Sequence, residues 1–156
     1  MEITELLDRE GVVASMKVSS KKQTLQELAE IAARVTGLKE RLIFDTLLER
    51  ERLGTTGVGH GIAIPHGKLA ELDRLHAIFA RLDTPVEFDS IDDAPVDLIF
   101  LLLAPESAGA DHLKALARVS RLLRNDSVCE KLRGTEDPDV LFAVLSEAQA
   151  PRAAVN

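Results

Sequence analysis

The run from Val96 to Leu103, VDLIFLLL, is almost continuously apolar and is bounded by Pro95 and Pro105. A stretch like this cannot leave either face to water, so it reads as a central strand covered on both sides. Helices must supply the cover, because a strand buried on one face only would alternate polar and apolar residues. The expected fold is therefore α/β: one domain with a mixed β-sheet and helices on both of its faces. The run is also far shorter than the ~20 apolar residues that a membrane-spanning helix requires, so any membrane role must pass through a partner.

Helical and strand periods elsewhere fit this plan. Val12, Val13, Met16 and Val18 suggest one or two short strand pieces. Ser20 and Gln23 form a capping-box pattern ahead of Leu25, Leu28, Ala32 and Val35 at helical spacing, and Gly37 closes that helix. A second helix is expected from about Lys39 to Glu51, burying Leu42, Ile43, Leu47 and Leu48 and carrying Arg50 in its last turn. His76 to Leu82 and Val86 to Phe88 flank Asp83-Thr84-Pro85, which reads as a hairpin-like connection. Asp111 is the expected cap of a helix with Leu113, Leu116, Ala117, Ser120 and Leu123 on one face, placing His112 in its first turn. Two further helices follow, one from Ser127 to Arg133 ended by Gly134. The other starts at Asp137-Pro138 and carries Val140, Leu141, Val144 and Leu145. The domain spans 1–156, with a tail from about residue 148 expected to fray.

Composition narrows the function classes. At 156 residues and 46% hydrophobic, the chain suffices for one well-packed core. A net charge of −7 argues against a general nucleic-acid or anionic-membrane surface. Five Phe with no Trp or Tyr leave almost no stacking platform for bases or sugar rings. The single Cys129 can form no intrachain disulfide, and the acidic start MEITELLDRE is unlike a secretory signal, so a cytoplasmic location is expected.

The chemistry concentrates in Gly57 to Gly67, GVGHGIAIPHG. Gly57, Gly59 and Gly61 let the backbone approach a ligand closely and could aim amides at an anion. Ile62 to Ile64 read as a short buried strand that Pro65 stops, since it lacks an N–H, and Gly67 frees the next turn. His66 then stands at a strand end beside a glycine-rich loop. A neutral imidazole there is a nucleophile near pH 7 that needs only an orienting partner and donors for phosphoryl oxygens.

The stretch Leu47 to Leu69, LLERERLGTTGVGHGIAIPHGKL, together with LDTPVEFDSIDDAPVDLIFLLLAP from Leu82 and the segment around His112, resembles the enzyme IIA domains of the bacterial phosphotransferase system. The likeness is to the mannitol/fructose class and, within it, the nitrogen-regulatory branch. The resemblance implies that His66 accepts a phosphoryl group on Nε2, as a tele-phosphohistidine, from the phosphohistidine of a carrier, HPr or its nitrogen-branch counterpart NPr. It implies that His112 helps to bind the phosphoryl group and that Arg50 lies near the site. It further implies regulation of targets such as transporters or sensor kinases according to phosphorylation state. The alternative is a sugar-specific IIA that passes phosphate to a IIB domain. No cofactor or metal is implied.

Other readings of the same residues are weaker. The spacing of His60, His66 and His112 contains no His-Glu-x-x-His and no cysteine pair to mark a metal site. Gly67-Lys68 is followed by Leu69, so the loop is not a Walker phosphate loop. Cys129 falls inside a helix with no basic loop to activate it and reads as a packing residue. Arg50 could instead pair along its own helix beside Glu49 and Glu51, and Arg118, Arg121 and Arg124 form either a solvated face or a receiver for an acidic partner.

Overall fold

A computed structural model describes residues 2–149. Among them the chain runs α1 (Ile3–Leu6), β1 (Leu7–Met16), α2 (Lys21–Thr36), α3 (Glu40–Leu53), β2 (Gly57–Gly59), β3 (Ile62–Ala63), β4 (His66–Leu69), β5 (His76–Val86), β6 (Val96–Pro105), α4 (Ala110–Leu123), α5 (Asp126–Arg133) and α6 (Pro138–Gln149). A 3-10 turn, Glu106–Ala108, joins β6 to α4. The tail expected to fray from about residue 148 lies, from residue 150 onward, outside the described residues.

The sheet is mixed, six-stranded, ordered β1-β5-β6-β3-β2, with β4 also on β6. β6 is the hub: it pairs antiparallel with β5 and parallel with both β3 and β4. Its alternate residues enter two separate cores. Leu98, Phe100 and Leu102 pack with Phe79, Val119, Leu123, Leu132 and Leu141 on the face covered by α4, α5 and α6. Ile99, Leu101 and Leu103 pack with Leu25, Leu28, Ile43 and Leu47 on the face covered by α2 and α3. The expected two-sided burial of this strand is what the structure contains.

Local signals explain most element ends, and some bonds differ from the expectation. Ser20 caps α2 by accepting from the Gln23 N–H, and Gly37 ends it at φ +80°. The Gln23 Oε1 accepts in return from the Ser19 N–H, one residue earlier than a capping box has it. β1 is one ten-residue strand whose pairing with β5 is twice shifted in register, which is why its apolar alternation looked so brief.

Asp83-Thr84-Pro85 is not a hairpin turn. β5 runs straight through it to Val86, which pairs with Val96, and the reversal falls in residues 87–95. Proline is tolerated there because β1 ends its pairing at Leu82 and the β6 ladder shifts between Arg81 and Val86, so no partner needs that N–H. α4 starts earlier than expected: Gly109, at φ +54°, is its N-cap, so Asp111 lies inside the first turn. Its buried face is His112, Ala115, Val119, Leu122 and Leu123, which rotates Leu113 out to 69% exposure.

One buried carboxylate fixes the end of α3. Glu51 accepts from the Thr56 amide at 3.0 Å and hydroxyl at 2.5 Å, and pairs with Lys21 Nζ at 2.9 Å. It thereby ties α2, α3 and the approach to β2 together. We expect Glu51→Ala to cost about 1–3 kcal/mol, the penalty for leaving buried donors unsatisfied. Urea denaturation with an unchanged m-value would measure it; a loss below a few tenths of a kcal/mol would show that the tie carries no stability.

Candidate functional site

Pro65 interrupts its strand without ending it. The Pro65 carbonyl accepts from the Leu102 N–H, and the chain resumes beside β6 as β4, with His66 opposite Leu102. His66 therefore opens a strand where it was expected to end one, and Gly67 sits within that strand opposite Leu103. The missing Cβ at Gly67 makes room for α3, since a Cβ there would lie 2.7 Å from Thr46 Cγ2. That close approach brings the last turn of α3 against the histidine.

The His66 ring is held at both nitrogens. Nδ1 lies 2.9 Å from the Ile64 carbonyl. A carbonyl only accepts, so Nδ1 carries the proton and Nε2 keeps its lone pair. Nε2 in turn accepts from Arg50 Nε at 3.2 Å, while Arg50 Nη1 donates to the Gly54 carbonyl at 2.8 Å. Arg50 thus bonds to the site and to its own helix end, and not to Glu49 or Glu51 along α3.

His112 faces the pair from the first turn of α4. Its ring centroid is 5.6 Å from that of His66, with the planes at 67°. The residue is buried, and its Nε2 has no hydrogen-bond partner among the described residues. An orphaned buried polar atom costs about 1–3 kcal/mol, and an incoming oxyanion would relieve it. Arg50, His66 and His112 are thus brought together from α3, β4 and α4.

Both histidines are shifted toward the neutral form. Burial is the main cause of the lowered His66 pKa; the Arg50 charge acts the same way, against the Ile64 bond and the Glu51 charge, which raise it. Burial also leads the lowering at His112, followed by the charges of His66 and Lys68.

The glycines have a different immediate task. His60 and Gly61, at φ +58° and +78°, form the two-residue turn of the β2–β3 hairpin, as turns of the primed type require. A Cβ at Gly61 would sit 2.6 Å from Arg133 Nη2 and 2.8 Å from Asp97 Oδ1, and one at Gly57 would collide with Ser90 Oγ. Gly59 is at φ +98° against the Asp92 carboxylate. The space that these three glycines leave open is filled by the chain's own residues.

Two contributors were missed in the sequence. The Ile64 carbonyl sets the His66 tautomer, and nothing in a side-chain pattern marks a carbonyl. Glu51 could have been found: it continues the buried Ile43–Leu47 stripe at i+4, where a carboxylate needs buried partners. Cys129 is a packing residue as expected, buried, with its thiol donating to the Leu123 carbonyl and its pKa pushed up by burial.

Residues 5–148 match the EIIA 2 family of the phosphoenolpyruvate-dependent sugar phosphotransferase system. A nitrogen regulatory protein of Bradyrhizobium diazoefficiens is 57% identical over 146 residues, covering 94% of this chain and 95% of the relative. A nitrogen regulatory protein of Escherichia coli (strain K12) is 38% identical over 151 residues, covering 96% and 92%. The crystal structure of nitrogen regulatory protein IIA-Ntr from Neisseria meningitidis aligns with a TM-score of 0.87 at 37% identity, covering 92% of this chain and 98% of that one. A match over nearly the whole chain, carried by sequence and by fold alike, makes this chain a member of the EIIA 2 family of the phosphotransferase system.

Proposed function

We propose that His66 accepts a phosphoryl group on Nε2 from the phosphohistidine of a small carrier, HPr or NPr, and that the phosphorylation state governs which regulatory partners dock around it. The observation that carries this is the Nδ1 bond to the Ile64 carbonyl, which leaves Nε2 as the nucleophile. The Nε2 lone pair attacks phosphorus, an N–P bond forms there, and the N–P bond to the donor imidazole breaks. Arg50 Nε–H, now spent on that same lone pair at 3.2 Å, is released to the phosphoryl oxygens as the lone pair is consumed. His112 offers its unpartnered Nε2 as a second donor to the developing charge.

The regulatory role rests on the relatives, which are nitrogen regulatory proteins at 57% and 38% identity. A sugar-specific IIA remains the second reading of the family. Transporters and sensor kinases are the kinds of target that we propose, acting in the cytoplasm. No described helix is long and apolar enough to cross a membrane.

Incubation with enzyme I, carrier and phosphoenolpyruvate is expected to add one acid-labile phosphate, absent in His66→Ala. Full incorporation into that variant would remove His66 from the role.

His112→Ala is expected to slow transfer by roughly 10²–10³-fold, the usual cost of one lost donor to transition-state charge, with the domain still folded at the assay temperature. Rapid-quench transfer rates alongside thermal melts check this, and a normal rate would exclude His112.

The titration of His66 supplies a carrier-independent check. Its pKa is lowered from 6.5, so the NMR inflection of its Hε1 is expected below that value and the ring stays neutral through pH 7. Arg50→Gln removes a cation that favours the neutral ring, so the inflection must move upward; a downward move would contradict the Arg50 contact.

A further inference from the structure

On the face opposite α2 and α3, the β2–β3 hairpin stands off from the α4–α5 corner and leaves a cleft of about 440 Å³. This lies within the roughly 300–1,000 Å³ typical of small-molecule sites. Its floor is apolar: Ile62, Ile64, Leu123 and Cys129 all line it. The hairpin is propped in place by Arg133, which grips Asp97 through two bonds of 2.8 and 2.9 Å and donates to the His60 carbonyl at 2.8 Å. The opening is therefore braced from within.

The rim carries the specificity. Arg133 is spent on its brace, whereas the Arg124 guanidinium, also lining the cleft, has no ion-pair or hydrogen-bond partner among the described residues. Ser120 lines the same cleft one helical turn before Arg124, and Asp126, also lining it, lies two residues beyond Arg124. One free guanidinium suits a single carboxylate, which it can hold through two parallel bonds. The neighbouring Asp126 carboxylate penalises a dianion such as phosphate.

We propose that this cleft is a binding site for a small monocarboxylate with a compact aliphatic body: the chain of the ligand on Ile62, Ile64 and Leu123, its carboxylate on Arg124 and Ser120. Ile64 is shared with the histidine site, since its side chain lines the cleft while its carbonyl holds His66 Nδ1. The proposal requires only the unphosphorylated protein, so it can be tested apart from phosphotransfer.

The test is a titration of the intact protein near pH 7 with 4-methylpentanoate, its neutral amide 4-methylpentanamide, and inorganic phosphate, followed by amide NMR. Saturable shifts are expected at Gly59, His60, Ser120 and Cys129 with the carboxylate. Binding should weaken about tenfold or more with the amide and again in Arg124→Gln, the size expected when a charged hydrogen-bonding partner is lost. Arg124 is exposed at the end of α4, so the variant should fold normally, which its unperturbed spectrum elsewhere would establish. No saturable shift, equal affinity for the amide, equal affinity in Arg124→Gln, or phosphate binding as tightly as the carboxylate would each overturn the proposal.

Discussion

Burying β6 on both faces is the constraint on which the rest of this structure depends. Leu98 to Leu103 are each 1% exposed or less, and their alternation sends successive side chains into two cores that do not merge. Each core needs its own helical cover, which is why the chain divides its helices between the faces. Because β6 pairs with β3, β4 and β5, it also fixes where His66 stands: opposite Leu102, held through the Pro65 carbonyl. The geometry of the site is thus inherited from the register of a strand that contributes no chemistry.

Around His66 the groups oppose one another in a useful way. Burial and the Arg50 guanidinium keep the ring neutral, while the Ile64 carbonyl and Glu51 favour its protonated form. The balance falls on the neutral side, where the nucleophilic lone pair exists. Glu51 exerts its opposing pull from a position that stability already demands, because its carboxylate satisfies Thr56 and Lys21. One carboxylate serves both the anchoring of α3 and the electrostatics of the histidine next to it.

What was legible in the sequence was what side-chain patterns encode. The α/β class, the two-faced central strand, the Ser20 and Gly37 ends of α2, and the place of His112 in a helix first turn all follow from period and capping chemistry. What was not legible depended on backbone partners distant in the chain. Pro85 looked like a turn because its neighbours' ladder bonds, which happen to be absent on both sides, cannot be read locally. Leu113 looked buried because periodicity gives a stripe but not its rotation, and α4 turns to bury His112 instead. The glycines of the hairpin read as a ligand loop, whereas the space beside them holds Ser90, Asp92 and the Asp97–Arg133 pair.

The parallel pairing of β1 with β5 joins Leu7 to Ala77 across most of the first half of the chain, and β6 emerges later still. During synthesis, then, α2 and α3 leave the ribosome with an apolar face and no sheet to receive it, since the strand that organises both cores is made after them. Closing such long loops is slow compared with forming helices. The nascent chain therefore passes through a window in which the apolar faces of α2 and α3 are uncovered, exposed to aggregation until β6 arrives.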